Sequence, residues 1–167
     1  MNIRKICALL ALTMIVGAYS CKKEKKEGCT DRNATNFDSD AEVNKGCQYK
    51  YLVDVTLTSV ASTDNEGNVW DDGGEPDVRI RFSKNSSSDF DYQTGIADDF
   101  SSATNLAVGS SVQFTNENWK YIILDDDGLL GTETIAAGTF NPLTSGDNGK
   151  ITLANGSTVF SFNTNTR

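Results

Sequence analysis

Two short segments concentrate the residue types that can do chemistry. The first is Asn68-Val69-Trp70-Asp71-Asp72-Gly73-Gly74-Glu75-Pro76-Asp77, and the second is Leu124-Asp125-Asp126-Asp127-Gly128-Leu129-Leu130-Gly131-Thr132-Glu133. Each is rich in carboxylates and glycine. Two carboxylates about 4 Å apart repel by about 4 kcal/mol at an effective dielectric near 20. A divalent cation turns that repulsion into ligation, and calcium takes six to eight oxygens from carboxylates and loop carbonyls. The alternative reading is that these are solvated turn residues, a setting in which Asp, Asn and Gly are common.

Composition narrows the chemistry further. The chain has 167 residues and no histidine, which excludes a Ser–His–Asp or Cys–His nucleophile pair and a His-ligated zinc. Its formal net charge is −8. Removing residues 1–20 takes away Arg4 and Lys5 and no acid, leaving −10 on the remainder. That sign opposes charge-driven binding to nucleic acid. Beyond residue 20 no stretch approaches the ~20 apolar residues of a spanning helix.

The N-terminus reads as an address. Arg4 and Lys5 form a basic start, Ile6 to Val16 an apolar run, and Gly17-Ala18-Tyr19-Ser20 precede Cys21. This resembles a bacterial lipoprotein signal, which implies cleavage after residue 20 and acylation of Cys21. Acyl chains anchor a protein by the hydrophobic effect, stably when two or more are present. Residues 21–27 then form the lipidated Cys and a charged tether. Lys22 stands where Asp signals inner-membrane retention in well-studied bacteria, so the resemblance implies the outer membrane, periplasmic or surface face undetermined.

Residues 28–49 form a separate small module, GCTDRNATNFDSDAEVNKGCQY. With Cys7 in the signal and Cys21 lipidated, Cys29 and Cys47 are the remaining pair in an oxidising compartment, so a disulfide is expected. It closes a loop of roughly 18 residues, worth about 3 kcal/mol in the chain-entropy model. The pattern resembles a short Cys-Thr-Asp repeat of Bacteroidetes surface proteins and lipoproteins. Asp31, Asn36 and Asp38 are either turn caps in a stapled spacer or a minor cation or partner site.

From residue 50 onward the pattern is β. Tyr51, Val53, Val55 and Leu57 alternate with Leu52, Asp54, Thr56 and Thr58. Val78, Ile80 and Phe82 alternate with Arg79 and Arg81. Further strands are expected around Val112–Phe114, Trp119–Ile123, Ile151–Leu153 and Phe160–Phe162, with Gly, Asn, Ser and Asp clusters between them. Residues 83–102, rich in Ser and Asp, read as the least ordered stretch. Short strands with frequent turns predict an antiparallel β-sandwich over residues 50–167.

Within that frame the acidic segments resemble the calcium-binding loops of C2 domains, which are eight-stranded antiparallel β-sandwiches. Asp71-x5-Asp77 leads into Val78 as the first loop of that family leads into a strand. Asp125-x-Asp127-x5-Glu133 follows the spacing of the family's third loop, with Glu at the last ligand position and Ala136 in place of Gly. The resemblance implies that Asp71, Asp77, Asp125, Asp127 and Glu133 ligate calcium, with Asp72 and Asp126 facing water and Asp64 assisting the first loop. It also places both loops at one end, where Trp70, Leu129 and Leu130 form a possible contact patch. The alternative is that the leucines fold back and Trp70 covers the core.

The expected function is a lipid-anchored, non-catalytic binding or adhesion module stabilised by calcium, with an envelope protein or a glycan as partner and no nucleic acid. Two alternatives remain: a structural or accessory lipoprotein without a metal site, and a carboxylate-based glycan hydrolase.

Overall fold

A computed structural model describes residues 23–64, 66–70, 74–146 and 149–167. The signal segment 1–20, Cys21, Asp71 and Asp72 lie outside them. Among the described residues there is no helix, and so none long and apolar enough to cross a membrane. The predicted architecture is present. Two short strands, β1 (Glu27–Gly28) and β2 (Val43–Asn44), belong to the N-terminal module. Eight more build the sandwich: β3 (Lys50–Ser59), β4 (Val78–Lys84), β5 (Tyr92–Gln93), β6 (Thr104–Leu106), β7 (Trp119–Asp126), β8 (Thr132–Phe140), β9 (Lys150–Asn155) and β10 (Thr158–Thr166). They pair as two four-stranded sheets, β6-β3-β10-β9 and β5-β4-β7-β8, with antiparallel neighbours throughout.

The sheets are held face to face by an aromatic layer. Phe140 of one sheet stacks on Phe162 of the other at 4.9 Å between ring centres, Phe82 meets Phe162 edge-on at 5.0 Å, and Tyr121 meets Phe160 at 4.9 Å. Phe82, Phe114, Trp119, Phe160 and Phe162 are fully buried. Each such side chain contributes on the order of 1.5–3 kcal/mol of burial free energy, and tilted or offset ring pairs add to it.

The alternation expected for the first strand is only half right. Leu52, Val55 and Leu57 face the core, while Tyr51 is half-buried and Val53 is exposed. The pairing explains this: Asn163 opposes Asp54 but Thr164 opposes Leu52, so Val53 is the extra residue of a β-bulge. One inserted residue reverses which parity points inward.

Three further expectations change. Val112 and Phe114 are buried as predicted, but they do not sit in a strand. They flank an isolated bridge from Gln113 to Tyr51, with Leu52 N donating to Val112 O and Phe114 N to Lys50 O. The stretch 83–102 is packed rather than loose. It contains β5, Ser83 is fully buried, and Tyr92 stacks on Phe82 and Trp119 at 5.5 and 6.0 Å. Strand β8 went unpredicted because Ala136-Ala137-Gly138 carries no apolar alternation. Small residues are needed there because the Tyr121 ring lies directly over Gly138, its cross-strand partner.

The module is clipped by Cys29–Cys47, with Cα atoms 4.8 Å apart. Its acids and amides cap turns: Asp31 accepts from Asn33 N and Tyr49 Oη, Asn36 binds Gln48 N and Gly46 O, and Asp38 accepts from Asp40 N and pairs with Lys26. The module docks on the sandwich through Tyr49, whose backbone exchanges two hydrogen bonds with Arg167, and through Asn33 Oδ1, which accepts from Asn116 N.

A β-carbon added at Gly138 would lie 2.6 Å from Tyr121 Oη and 2.8–2.9 Å from its ring carbons. Tyr121 is 5% exposed and packed on Phe140 and Phe160, so it has little room to tilt. Gly138→Ala is expected to cost about 1–3 kcal/mol, the usual range for overpacking. Urea unfolding with an unchanged midpoint would contradict this account of β8.

Candidate cation site and contact loops

Three connections meet at one end of the sandwich: 60–77 between β3 and β4, 97–102 between β5 and β6, and 127–131 between β7 and β8. The ties are backbone contacts: Val78 pairs with Asp125 and bridges Ala97, Phe100 N donates to Pro76 O, and Asp126 N donates to Asp77 O. Together with Asp125, Asp126 and Glu133 at the adjoining strand ends, these segments hold twelve of the chain's 23 acidic residues and no Lys or Arg. The fold therefore gathers an acidic end that the linear sequence only suggested.

Asp125 is the most constrained of these residues. It continues the inward-facing row Trp119, Tyr121, Ile123, and it is fully buried. Its Oδ1 accepts the Asp77 N–H at 2.8 Å. Asp77 Oδ1 in turn accepts from Asp99 N at 2.8 Å, where Asp99 adopts φ 44°. A backbone N–H to carboxylate chain thus links all three connections. Asp99 was not singled out from sequence, because its partner is 22 residues away and no local spacing marks it.

Glu133 comes to its position by a bulge in β8. Ile123 opposes Ala136 but Leu124 opposes Thr134, so Ile135 is the inserted residue and Glu133 comes directly opposite Asp125. Opposite residues of an antiparallel pair share a face with Cβ atoms about 4.5–5.5 Å apart, and like charges there are destabilising. Without the bulge, a threonine would occupy that place. Asp127 is half-buried in the turn, and Glu133 is exposed.

The five residues implied as ligands are thus partly brought together. Asp77 and Asp125 touch, Glu133 shares the face of Asp125, Asp127 lies two residues along, and Asp71 falls outside the described residues. Among the described residues no three carboxylates are close enough to form a complete metal site. The residue types, carboxylates beside loop carbonyls, are of the kind calcium takes.

One expectation about the neighbouring acids is corrected. Asp126 does not face water: it is 7% exposed, and its Oδ2 lies 2.8 Å from Arg79 Nε on the outer face of the sheet. The reason is register, since Arg79 on β4 opposes Leu124 and so stands beside Asp126 on that face. Asp64 organises a turn within the β3–β4 connection. Its Oδ1 accepts from Glu66 N and Asn68 N at 2.8 Å, and Oδ2 accepts from Asn68 Nδ2 at 2.9 Å. The Asn68 side-chain hydrogen bond is the largest cause holding the Asp64 carboxyl below its usual range.

The apolar tip also divides. Leu129 and Leu130 are fully exposed, at 105% and 91%. Trp70 is half-buried and its Nε1 donates to Ala61 O at 2.6 Å, beside Thr134, Ile135 and the β9–β10 turn. The two leucines are thus exposed, while Trp70 is tied to Ala61.

No protein-family model matches the chain, and no curated protein sequence matches it.

The Arg79–Asp126 pair generates a stability test. Removing one partner of a buried pair typically costs about 3–5 kcal/mol. Arg79 keeps 21% of its side chain in solvent, so Asp126→Ala is expected toward the low end, about 2–3 kcal/mol. The double variant Arg79→Met with Asp126→Ala should lose clearly less than the sum of the two single changes. Chemical denaturation of the four proteins of this cycle checks it, and additive losses would contradict the pairing.

Proposed function

We propose that this protein is a lipid-anchored envelope protein whose β-sandwich is a non-catalytic binding module with calcium-ordered loops. The supporting observation is the convergence of three acidic connections at one end, beneath two fully exposed leucines. Concentrated negative charge attracts divalent cations. Asp125 opposite Glu133, with Asp77 in contact, offers carboxylates for calcium, which also accepts loop carbonyls. Bound calcium would supply positive charge that cross-links the β3–β4 and β7–β8 connections. Leu129 and Leu130 would then be held out for a partner. Acylated Cys21 and the tether to residue 27 would display the module from the outer membrane. The likeness of the two acidic spacings to C2 loops supports the same reading.

A second reading has its own observation. Asp64, Asp77, Asp125 and Asp126 each already accept a backbone N–H, which is how acids serve a purely structural loop end. A metal-free structural lipoprotein would need nothing more.

Thermal melting of the Cys21→Ser protein separates the two. At free calcium 100 times the dissociation constant, binding adds about 2.7 kcal/mol of stability. The melting temperature should rise in millimolar calcium relative to chelator, and Glu133→Gln should remove the rise with little effect in chelator, because Glu133 is exposed. Identical melting in calcium and chelator would establish the structural reading instead.

The leucine tip makes an independent prediction. Leu129→Ser with Leu130→Ser should leave stability within about 0.5 kcal/mol, as surface changes do. It should also weaken capture of the protein by envelope preparations. A large loss of stability would show that these side chains are packed.

A further inference from the structure

The charges of this chain are divided along the long axis of the sandwich. The acidic end holds twelve acids and no Lys or Arg, with Asp71 and Asp72 counted from the sequence. The rest of the chain after residue 20 holds 13 Lys or Arg and eleven acids, a slight positive excess. All of the net negative charge therefore belongs to one end. The N-terminal module sits at the other. Tyr49 bonds to Arg167, just past β10, and Asn33 to Asn116, just before β7, whereas β7 runs on to the acidic end at Asp126. Lys50 begins β3 beside the module and Ser59 ends it beside the acidic connections, which separates the two ends by about 30 Å of extended strand.

The tether enters at the module end. Lys26 is tied into the fold, since its O accepts from Glu42 N and Val43 N and its Nζ pairs with Asp38 at 2.8 Å. Glu27 follows and pairs with Lys45 at 2.5 Å. Lys23, Glu24 and Lys25 precede them and are exposed. With Lys22 they make three cations and one acid in four positions, directly after Cys21. From Cys21 to Lys26 the chain spans at most about 18 Å. On a chain anchored at Cys21, these lysines lie at the level of the lipid headgroups. An anionic leaflet attracts Lys near its surface, and the attraction fades within a Debye length, about 8 Å at physiological ionic strength.

A short tether does not by itself choose an orientation, because the sandwich can lie on the membrane or stand on it. Charge makes the choice. Lying flat brings twelve acids within a Debye length of the lipid phosphates. Standing keeps them about 30 Å further out, several Debye lengths away, while the lysines of the tether stay against the headgroups. We propose that Lys22, Lys23 and Lys25 dock on anionic lipid headgroups and that the protein stands on its module, with the acidic end and Leu129–Leu130 turned away from the membrane that anchors it. This rests on the lipid anchor proposed above, and the docking needs no metal. The two leucines then meet their partner on a facing surface rather than in the anchoring leaflet.

The test is energy transfer from a dye on the protein to a headgroup-labelled lipid. The dye is placed on Leu129→Cys at the tip or on Ser39→Cys in the module, both exposed positions. Cys29 and Cys47 are bonded to each other and an acylated Cys21 has no thiol, so each dye marks one site. Mass spectrometry of the protein purified from membranes first reads acylation of Cys21; an unmodified Cys21 would overturn the anchor reading and this proposal with it. The acylated protein is then reconstituted, in chelator, into vesicles of phosphatidylcholine with phosphatidylglycerol or of phosphatidylcholine alone. On the anionic vesicles the tip dye should transfer at least threefold less efficiently than the module dye. On neutral vesicles, or in high salt, that difference should shrink. Lys23→Glu with Lys25→Glu should lower transfer from the module dye on anionic vesicles and leave it unchanged on neutral ones. With Cys21 acylated, three results would overturn the orientation while the anchor stands: equal transfer from tip and module, the same transfer on both vesicle types, or no effect of the lysine changes.

Discussion

The structure depends on one constraint: two short-stranded sheets must share a single aromatic layer. Phe82, Trp119, Phe140, Phe160 and Phe162 come from four strands in two sheets, and their rings meet at about 5–6 Å. Large rings offer few mutually compatible positions. The layer therefore fixes the register of β4, β7, β8 and β10 together. Gly138 under Tyr121 shows the converse, since a ring this close to a strand requires a residue without a side chain.

Strands held by that layer still have to bend at their ends, and the bulges do this. The one at Val53 turns the start of β3 so that both Lys50 and Leu52 point inward. The one at Ile135 turns the start of β8 so that Glu133 comes beside Asp125. Each bulge gives up one ladder position and resets which residues face the interior. The acidic end lies beside one such reset. The packing of the middle thus decides which side chains are presented at the ends.

Acids gather where the 60–77, 97–102 and 127–131 connections converge, and among the described residues only Arg79 pairs with one of them. At the far end the disulfide module meets the sandwich through Tyr49 and Asn33.

The all-β class, the Cys29–Cys47 bond and most core residues were legible in the sequence. Alternation of apolar residues reports a buried face directly, and Cys29 and Cys47 are the pair that remains once Cys7 and Cys21 are read as parts of an export signal and lipid site. The acidic spacings were legible too, and the fold sets the Asp77 backbone N–H against the Asp125 carboxylate. Strand β8 was not legible, because Ala136 and Gly138 are small only in answer to Tyr121 on another strand. Nor were the burial of Asp126 against Arg79 or the hydrogen bond from Asp99 N to Asp77. Local periodicity carries information about which face of a strand is inside. It carries none about the side chain opposite, which is set by cross-strand register, and one bulge is enough to change that register. Composition and spacing therefore determined what this chain is built from, and tertiary packing alone decided which charges it neutralises and which it leaves available.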